Sequence, residues 1–423
     1  MTHFGLICPA STGHLNTMLP LGKELQRRGH RVTLFALLDA ESKTLAAGLE
    51  FKGIGESEFP QGVMAELLAQ LGKLSGREAL RYTIITLKNT AAVLLRDAPK
   101  AMKEAGVEAL LVDQVSPEGG TVADFLGIPF ITICSAVVLN RDPSVPPHFT
   151  NWNYNPALWG QLRNRVGYQV LKQITNPITG VINEYRQEWK LPKHSNPNER
   201  YSQLAQISQQ PAELEFPRKQ LPQCFYFTGP YHSPVGREVP GFPYEKLTGQ
   251  PLIYASMGTV QNRLIGVFQQ IAEACVGLDA QLVISLGGSA KIKFLPELAG
   301  SPLVVEYAPQ LELLQKATLT ITHAGMNTTL ESLNNGIPMV AIPIANDQPG
   351  IAARVVWAGC GKALPVRSIN VPRLRTAIQK VLTEDSYKQN AVRLQEAIRC
   401  AGGVSRACDI VEQVLSTGKP AIS

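Results

Sequence analysis

What this sequence does without narrows its function first. It contains no C-x-x-C, and its seven cysteines are Cys8, Cys134, Cys224, Cys275, Cys360, Cys400 and Cys408, an odd number set mostly in apolar runs such as LICPA and ITICSA. That usage speaks against a disulfide framework and for reduced core thiols of a cytosolic protein. No run approaches the roughly 20 apolar residues that a membrane-spanning helix needs. The opening MTHFGLICPASTGH lacks the basic and apolar regions of a secretory signal. No block of five like charges occurs and the net charge is only +6, so nucleic acid is not an expected partner. Peripheral contact with an anionic membrane face stays open. Without G-x-G-x-x-G a nicotinamide oxidoreductase is disfavoured, and without G-x-x-x-x-G-K-[ST] so is a P-loop NTPase. There is no D-x-D and no His/Cys cluster at ligand spacing, so neither a metal nor another cofactor is expected.

What is present describes an ordinary globular chain, 44% hydrophobic and 17% charged over 423 residues. At about 150 residues per domain that length suggests two or three domains. Residues 4–8 form an apolar run closed by Pro9 and by Ser11-Thr12-Gly13. Leu15, Met18, Leu19, Gly22 and Leu25 then share one helical face, and 31–37 reads as the next strand. Strand, helix and strand in so short a span imply a parallel sheet. The rhythm recurs at 109–112, 122–126 and 128–133. It fails from about 145 to 200, where Phe149, Trp152, Tyr154, Trp159, Tyr168, Tyr185 and Trp189 crowd among prolines and asparagines. We read that stretch as irregular segments and helices outside the sheet, with aromatics that suit either a core or an apolar acceptor.

Residues 229–251 are dense in glycine and proline and mark a linker. After it the alternation restarts, with strands at 252–256, 281–286, 318–322 and 338–342. Helices are expected at 261–277, 326–335, from about 349, and over most of the last fifty residues. The expected architecture is α/β, with Rossmann-like parallel-sheet domains at 1–228 and 252–400 facing each other across a cleft. A C-terminal helix at 401–423 is free to pack back on the first domain. Ligands of such folds bind at the carboxyl edges of the strands.

The segment HAGMNTTLE carries the clearest chemistry. A strand delivers the chain to His323, Gly325 allows a tight turn, and Asn327, Thr328 and Thr329 open a helix. Free N–H groups and the positive end of the helix dipole then gather at the strand end, which is an anion site. His323 adds a donor, Asn327 and Thr328 add short polar side chains, and Glu331 can accept from a ribose diol. A plain capped helix with an incidental histidine would read the same if the segment stood alone.

It does not stand alone. Tyr307-Ala308-Pro309-Gln310 precedes it and Asn346-Asp347-Gln348 follows it. That order resembles the signature box of family 1 glycosyltransferases, the UGT-type enzymes of GT-B fold, best known from plant secondary-product enzymes. Gly13-His14 and Arg28-Gly29-His30-Arg31-Val32-Thr33 extend the likeness. The box departs from the plant pattern in having Tyr307 and Met326 where tryptophans are usual, and in being two residues shorter before His323, which fits a bacterial branch. The runs FPYEKLTGQPLIYASMGTVQN and NDQPGIAARV look like bacterial carotenoid glucosyltransferases, and less closely like macrolide glycosyltransferases.

The resemblance implies a UDP-sugar donor, glucose being usual where the box ends in glutamine. It places Tyr307 against uracil with Gln310 beside it. It puts His323, Asn327 and Thr328 on the diphosphate, Glu331 on ribose, and Asp347 and Gln348 on sugar hydroxyls. Gly258 and Thr259 fall in a phosphate-side loop.

Attack by a neutral alcohol on an anomeric carbon needs a base. His14 sits at a helix start, where the dipole disfavours imidazolium and keeps the ring able to accept a proton. Asp113 ends the strand at 109–112 on the same sheet edge and can hold that ring. The resemblance puts the family's catalytic pair on these two positions. Ser135, Asp142 and His148 are weaker candidates for acceptor contacts. The expectation is thus an inverting transfer of glucose from UDP-glucose to a hydroxyl of a small lipophilic acceptor. A sugar-nucleotide epimerase of similar architecture and a non-catalytic sugar-nucleotide-binding protein remain as alternatives.

Overall fold

The computed structural model describes residues 1–74, 76–233, 241–259, 265–288, 292 and 295–422. Part of the expected linker, 234–240, and the expected first turn of the helix at 261–277 lie outside the described residues.

Two wholly parallel sheets form the frame. The first holds β1 (His3–Ile7), β2 (Arg31–Ala36), β3 (Glu50–Gly53), β4 (Ala109–Asp113), β5 (Phe130–Cys134), β6 (Gln206–Ser208) and β7 (Phe225–Phe227), in the spatial order β3-β2-β1-β4-β5-β6-β7. The second holds β8 (Leu252–Ser256), β9 (Gln281–Ser285), β10 (Leu303–Val305), β11 (Ala317–Thr322), β12 (Met339–Ala341) and β13 (Gly361–Ala363), in the order β10-β9-β8-β11-β12-β13. The inner strands are buried throughout, which is why they read as continuous apolar runs rather than alternating ones.

Each sheet reverses its strand order once, between β1 and β4 in the first and between β8 and β11 in the second. Loops leaving the two strands at such a point diverge to opposite faces and open a crevice at the carboxyl ends. Ile7 pairs with Val112 and Ser256 pairs with Thr322. Two crevices therefore form, one where the chain leaves β1 and β4 and the other where it leaves β8 and β11.

The helices are numbered in chain order. Helix α1 (Thr12–Arg27) and α2 (Glu41–Ala46) follow the first two strands. Helices α3 (Val63–Leu71) and α4 (Gly76–Ala105) precede β4, α5 (Glu118–Leu126) precedes β5, and α6 (Leu158–Glu188) fills the stretch that breaks the βα rhythm. The second half carries α7 (Ile265–Cys275), α8 (Gln310–Leu314), α9 (Met326–Asn334), α10 (Gln348–Trp357), α11 (Val371–Thr383), α12 (Asp385–Cys400) and α13 (Gly403–Thr417).

The aromatic stretch is thus more ordered than its composition suggests. Helix α6 runs 31 residues through Pro177, and α4 runs 30 residues through Pro99. An interior proline removes one helical hydrogen bond, and these two helices pack on each other.

Helix α13 returns to the first sheet. Its Ala407, Cys408, Val411 and Val414 belong to that domain's core. Arg28 of the first domain donates to Asp409 and Glu412 at 2.7 Å, and His30 meets Glu412 at 3.1 Å. Six cysteines are buried and Cys400 is exposed, all as free thiols.

Candidate active site

The first crevice brings together His14 and Asp113, 99 residues apart in sequence. The chain leaves β1, turns at Ser11, and places His14 in the first turn of α1. Its Nδ1 lies 2.7 Å from Asp113 Oδ2 and 2.8 Å from Ser135 Oγ. Asp113 is fully buried. Its Oδ1 accepts from the backbone N–H of Val115 at 2.9 Å, and its Oδ2 accepts the Ser135 hydroxyl at 2.5 Å. With Ser135 donating to the carboxylate, the Nδ1 proton points at Asp113 and Ser135, and Nε2 is left as an acceptor. His14 lines the main cavity, while Asp113 stands behind it.

The expectation that the helix dipole keeps this ring neutral is corrected here. Burial opposes the cation, but the charge of Asp113, the hydrogen bond to it, and the charge of Asp347 outweigh burial, and the His14 pKa is raised above its usual 6.5. Asp347 is one of the residues read from the sequence as a sugar ligand, and it belongs to the other domain. His14 and Asp347 therefore sit within electrostatic reach of each other across the cleft.

The second crevice gathers the residues expected to hold the nucleotide. Helix α9 starts after Gly325 with no side-chain cap, so its first-turn N–H groups are available to an anion. The tight turn is not made by Gly325. Ala324 takes the left-handed conformation at φ 64°, and Gly325 has an ordinary φ of −67°. Glycine is required at 325 for space. A Cβ there would lie 2.4 Å from His323 Nε2, and a Cβ on Gly258 would lie 2.6 Å from the same ring. The imidazole is thus clamped between two glycines from the ends of β8 and β11. Burial pushes its pKa down to about 4, so it would meet a diphosphate as a neutral donor.

Because the ring is confined on both sides, Gly325→Ala should displace it at a cost on the order of 1–3 kcal/mol. UDP binding should weaken by about 5- to 150-fold, measured by titration calorimetry. An unchanged dissociation constant would show that the clamp does not serve the nucleotide.

Other residues expected at the nucleotide are already engaged. Gln310 donates to Glu331 at 2.5 Å and to Thr328 at 3.3 Å, and it accepts from the Tyr254 hydroxyl at 3.1 Å. Asn327 differs from expectation. Its amide donates to Gly13 O at 2.7 Å and accepts from Gln209 at 3.1 Å, both in the first domain. The side chain bridges the domains beside His14, so its backbone N–H is what remains for a phosphate.

Asn346 is left-handed at φ 56° and Asp347 precedes α10. Asp347 accepts weakly from Val137 N–H at 3.4 Å, and burial raises its pKa. The amide oxygen of Gln348 takes the N–H groups of Ile344 and Ala345 at 2.8 and 3.0 Å. The loop thus occupies the acceptor of the Gln348 amide.

One cavity of about 490 Å³ joins both crevices. His14, Gly258, Thr259, Tyr307, Gln310, His323, Gly325, Asn327, Thr328, Glu331, Asp347 and Gln348 all line it. Its apolar wall was missed in the sequence. It comes from α3 and α4, through Leu67, Leu80, Ile84 and Leu87, and from Leu171 and Ile178 of α6. Their helical spacing was the available signal. Of the seven aromatics between Phe149 and Trp189 that suited either a core or an acceptor, Phe149 reaches the cavity and the other six do not.

The weaker candidates divide. Ser135 completes the His14–Asp113 group. His148 lines the cavity as a neutral ring, its pKa lowered to about 3 by burial and nearby arginines. Asp142 is a buried turn anchor that accepts from Ser144, Lys219 and Gln220 N–H groups.

Comparison with known proteins bears on the family and the fold. The zeaxanthin glucosyltransferase of Pantoea ananas is 34% identical over all of this chain and 98% of its own length. That of Pseudescherichia vulneris is 30% identical over 98% of each. Among solved structures, the glycotransferase of kitacinnamycin superposes with a TM-score of 0.75 at 23% identity, covering 97% of this chain and 98% of its own. The calicheamicin glycosyltransferase CalG4 gives 0.73 at 20% identity, covering 99% and 100%. These likenesses support the GT-B architecture of two facing Rossmann-like domains. Residues 6–399 match the family described as UDP-glucoronosyl and UDP-glucosyl transferase, and the chain belongs to that family of nucleotide-sugar-dependent glycosyltransferases.

Proposed function

We propose that the protein transfers glucose from UDP-glucose to a hydroxyl of a small lipophilic alcohol, with inversion at the anomeric carbon and without a metal. The observation that carries this reading is the His14–Asp113–Ser135 group, which opens onto a cavity walled by nucleotide-type residues on one side and aliphatic side chains on the other. In the reaction the acceptor O–H gives its proton to His14 Nε2. Its oxygen bonds to C1 of glucose as the C1–O bond to UDP breaks, and Asp113 remains ionised beside the new imidazolium. The charge left on the diphosphate is met by the N-terminal turn of α9, by Thr328 and by neutral His323.

The apolar wall and the two carotenoid-type relatives support a long apolar alcohol as acceptor. An epimerase has no use for such a wall. The reading is tested by incubation with UDP-glucose alone and with zeaxanthin, a sterol, a flavonoid and a macrolide, followed by mass spectrometry. A glucoside of an apolar alcohol supports it. Conversion of the nucleotide sugar without acceptor favours the epimerase.

Asp347 can accept from neighbouring equatorial hydroxyls, and turning one of them axial leaves a buried polar group unpartnered, at about 1–3 kcal/mol. Wild-type kcat/KM should therefore favour UDP-glucose over UDP-galactose by roughly 5- to 150-fold. Competition kinetics with both donors would measure this, and equal efficiency would remove the sugar-reading role from Asp347.

A further inference from the structure

Helix α6 has two apolar faces in its first half. One is internal: Gly160, Asn164, Gly167, Tyr168 and Leu171 are buried. The other is bare. Leu158 is 85% exposed, Trp159 61%, Leu162 60%, Val166 58% and Val170 44%. At about 100° per residue, Trp159, Leu162, Val166 and Val170 fall within an arc of about 80°, so they form one stripe rather than scattered residues. Singly exposed apolar side chains are normal on a soluble surface, but four on one stripe of a helix, with Leu158 beside them, are not.

The rim of the stripe carries one sign of charge. Arg165 and Lys172 lie exposed along one edge. Arg163 lies on the other, its guanidinium 4.7 Å from the Trp152 ring centre and 5.6 Å from that of Trp159. Between Asp142 and Glu184 the sequence has no acidic residue at all. An apolar strip with tryptophan, edged by cations, has the composition of a helix that lies in the plane of a bilayer surface.

We propose that this face of α6 docks on an anionic lipid bilayer. Charge complementarity selects that occupant. A second copy of the chain, joined symmetrically through this stripe, would set the arginine and lysine edges of the two copies close together with no acid to offset them. Anionic headgroups offset them directly. Among the described residues no helix is long and apolar enough to cross a membrane, so the attachment is in-plane.

The placement also has a use. Just beyond Val170, Leu171, Ile174 and Ile178 of the same helix line the cavity. Docking sets the cavity wall against the phase in which a lipophilic alcohol resides. This use rests on the proposed function; the docking itself does not.

The test uses the full-length protein and vesicles of phosphatidylcholine, alone or mixed in equal parts with phosphatidylglycerol, read by co-sedimentation. Wild type should bind the mixed vesicles, bind the neutral ones much more weakly, and release as salt is raised. L162D/V166D changes only exposed positions, and its circular dichroism and melting should match wild type. Its partition onto mixed vesicles should fall by at least about 10-fold, since two stripe side chains no longer enter the lipid. Its KM for a vesicle-embedded acceptor should rise, while kcat with a water-soluble alcohol stays at the wild-type level. Failure of wild type to bind mixed vesicles overturns the proposal, as does equal binding by the double variant. So does wild type that dimerises in light scattering, loses the dimer in L162D/V166D, and ignores vesicles. If vesicle binding behaves as stated but no acceptor is glucosylated, the docking stands and the acceptor reading falls.

Discussion

His14→Ala is expected to lower turnover by about 10²–10⁴-fold while leaving UDP affinity near wild type. The ring is held in the first domain by Asp113 and Ser135, whereas the residues proposed to hold the nucleotide lie in the second. Its loss should therefore remove proton transfer and spare nucleotide binding. A UDP titration beside single-turnover kinetics separates the two, and near-normal turnover would remove His14 from the base role.

The pH profile adds a second reading of the same group. Only the neutral ring accepts a proton, and the folded pKa is raised above 6.5. The acid limb of kcat/KM for wild type should therefore lie above pH 6.5, with the rate rising as pH rises through it. Asp113→Asn takes away the charge that raises that pKa. The limb should move to lower pH even as the maximal rate falls, because the developing imidazolium loses its partner. A limb that stays in place would mean that another group titrates.

Glu215→Leu should destabilise the protein by about 3–5 kcal/mol. Glu215 lies in the first domain and Arg354 in α10 of the second, and both are buried. Arg354 Nε and Nη2 donate to Glu215 Oε1 at 3.0 and 2.6 Å, Nη1 donates to Gly350 O at 2.9 Å, and the guanidinium lies 4.5 Å from the Phe216 ring centre. Gln210 donates to the other carboxylate oxygen at 2.8 Å, and Arg218 Nε lies 3.2 Å from Oε1 without hydrogen-bond alignment.

Burial opposes the Glu215 charge, but Arg354 and Arg218 outweigh it and the pKa is lowered. The pair's contribution is therefore present above the ordinary glutamate range and is lost as pH falls through the folded value. Removing the carboxylate strands two buried cations, which is costlier than removing the whole group. Glu215→Leu with Arg354→Met should recover part of the loss. Urea unfolding would show it, and an unchanged midpoint for the single variant would mean that the pair is already hydrated. Because α10 begins at Gln348, next to Asp347, the same contact also sets where the loop before α10 meets the first domain.

The readable parts of the sequence were those in which local pattern and global fold agree. The run closed by Pro9, the helix from Leu15 to Leu25 and the next strand are all set by neighbours within a few residues, so the first βαβ unit was legible. So was the box from Tyr307 to Gln348, where His323, Asn327, Thr328 and Gln348 sit at a strand end or helix start and Glu331 lies one turn further into α9. The short strands β3, β6 and β7 gave no signal, since three or four residues hold too little pattern to separate from loop. Helix α4 and the length of α6 were hidden by Pro99 and Pro177, which normally mark ends. At the site, Ala324 takes a conformation that its residue type does not suggest. Asn327 bonds Gly13 across 314 positions of sequence, a contact that no local pattern reports.

The most direct test of the account is the anomeric configuration of the product. UDP-α-glucose and an apolar alcohol such as zeaxanthin should yield a β-glucoside, shown by a large diaxial H1–H2 coupling in the proton spectrum. A single displacement with His14 as base must place the acceptor opposite the departing UDP. An α-glucoside, with its small coupling, would contradict that mechanism.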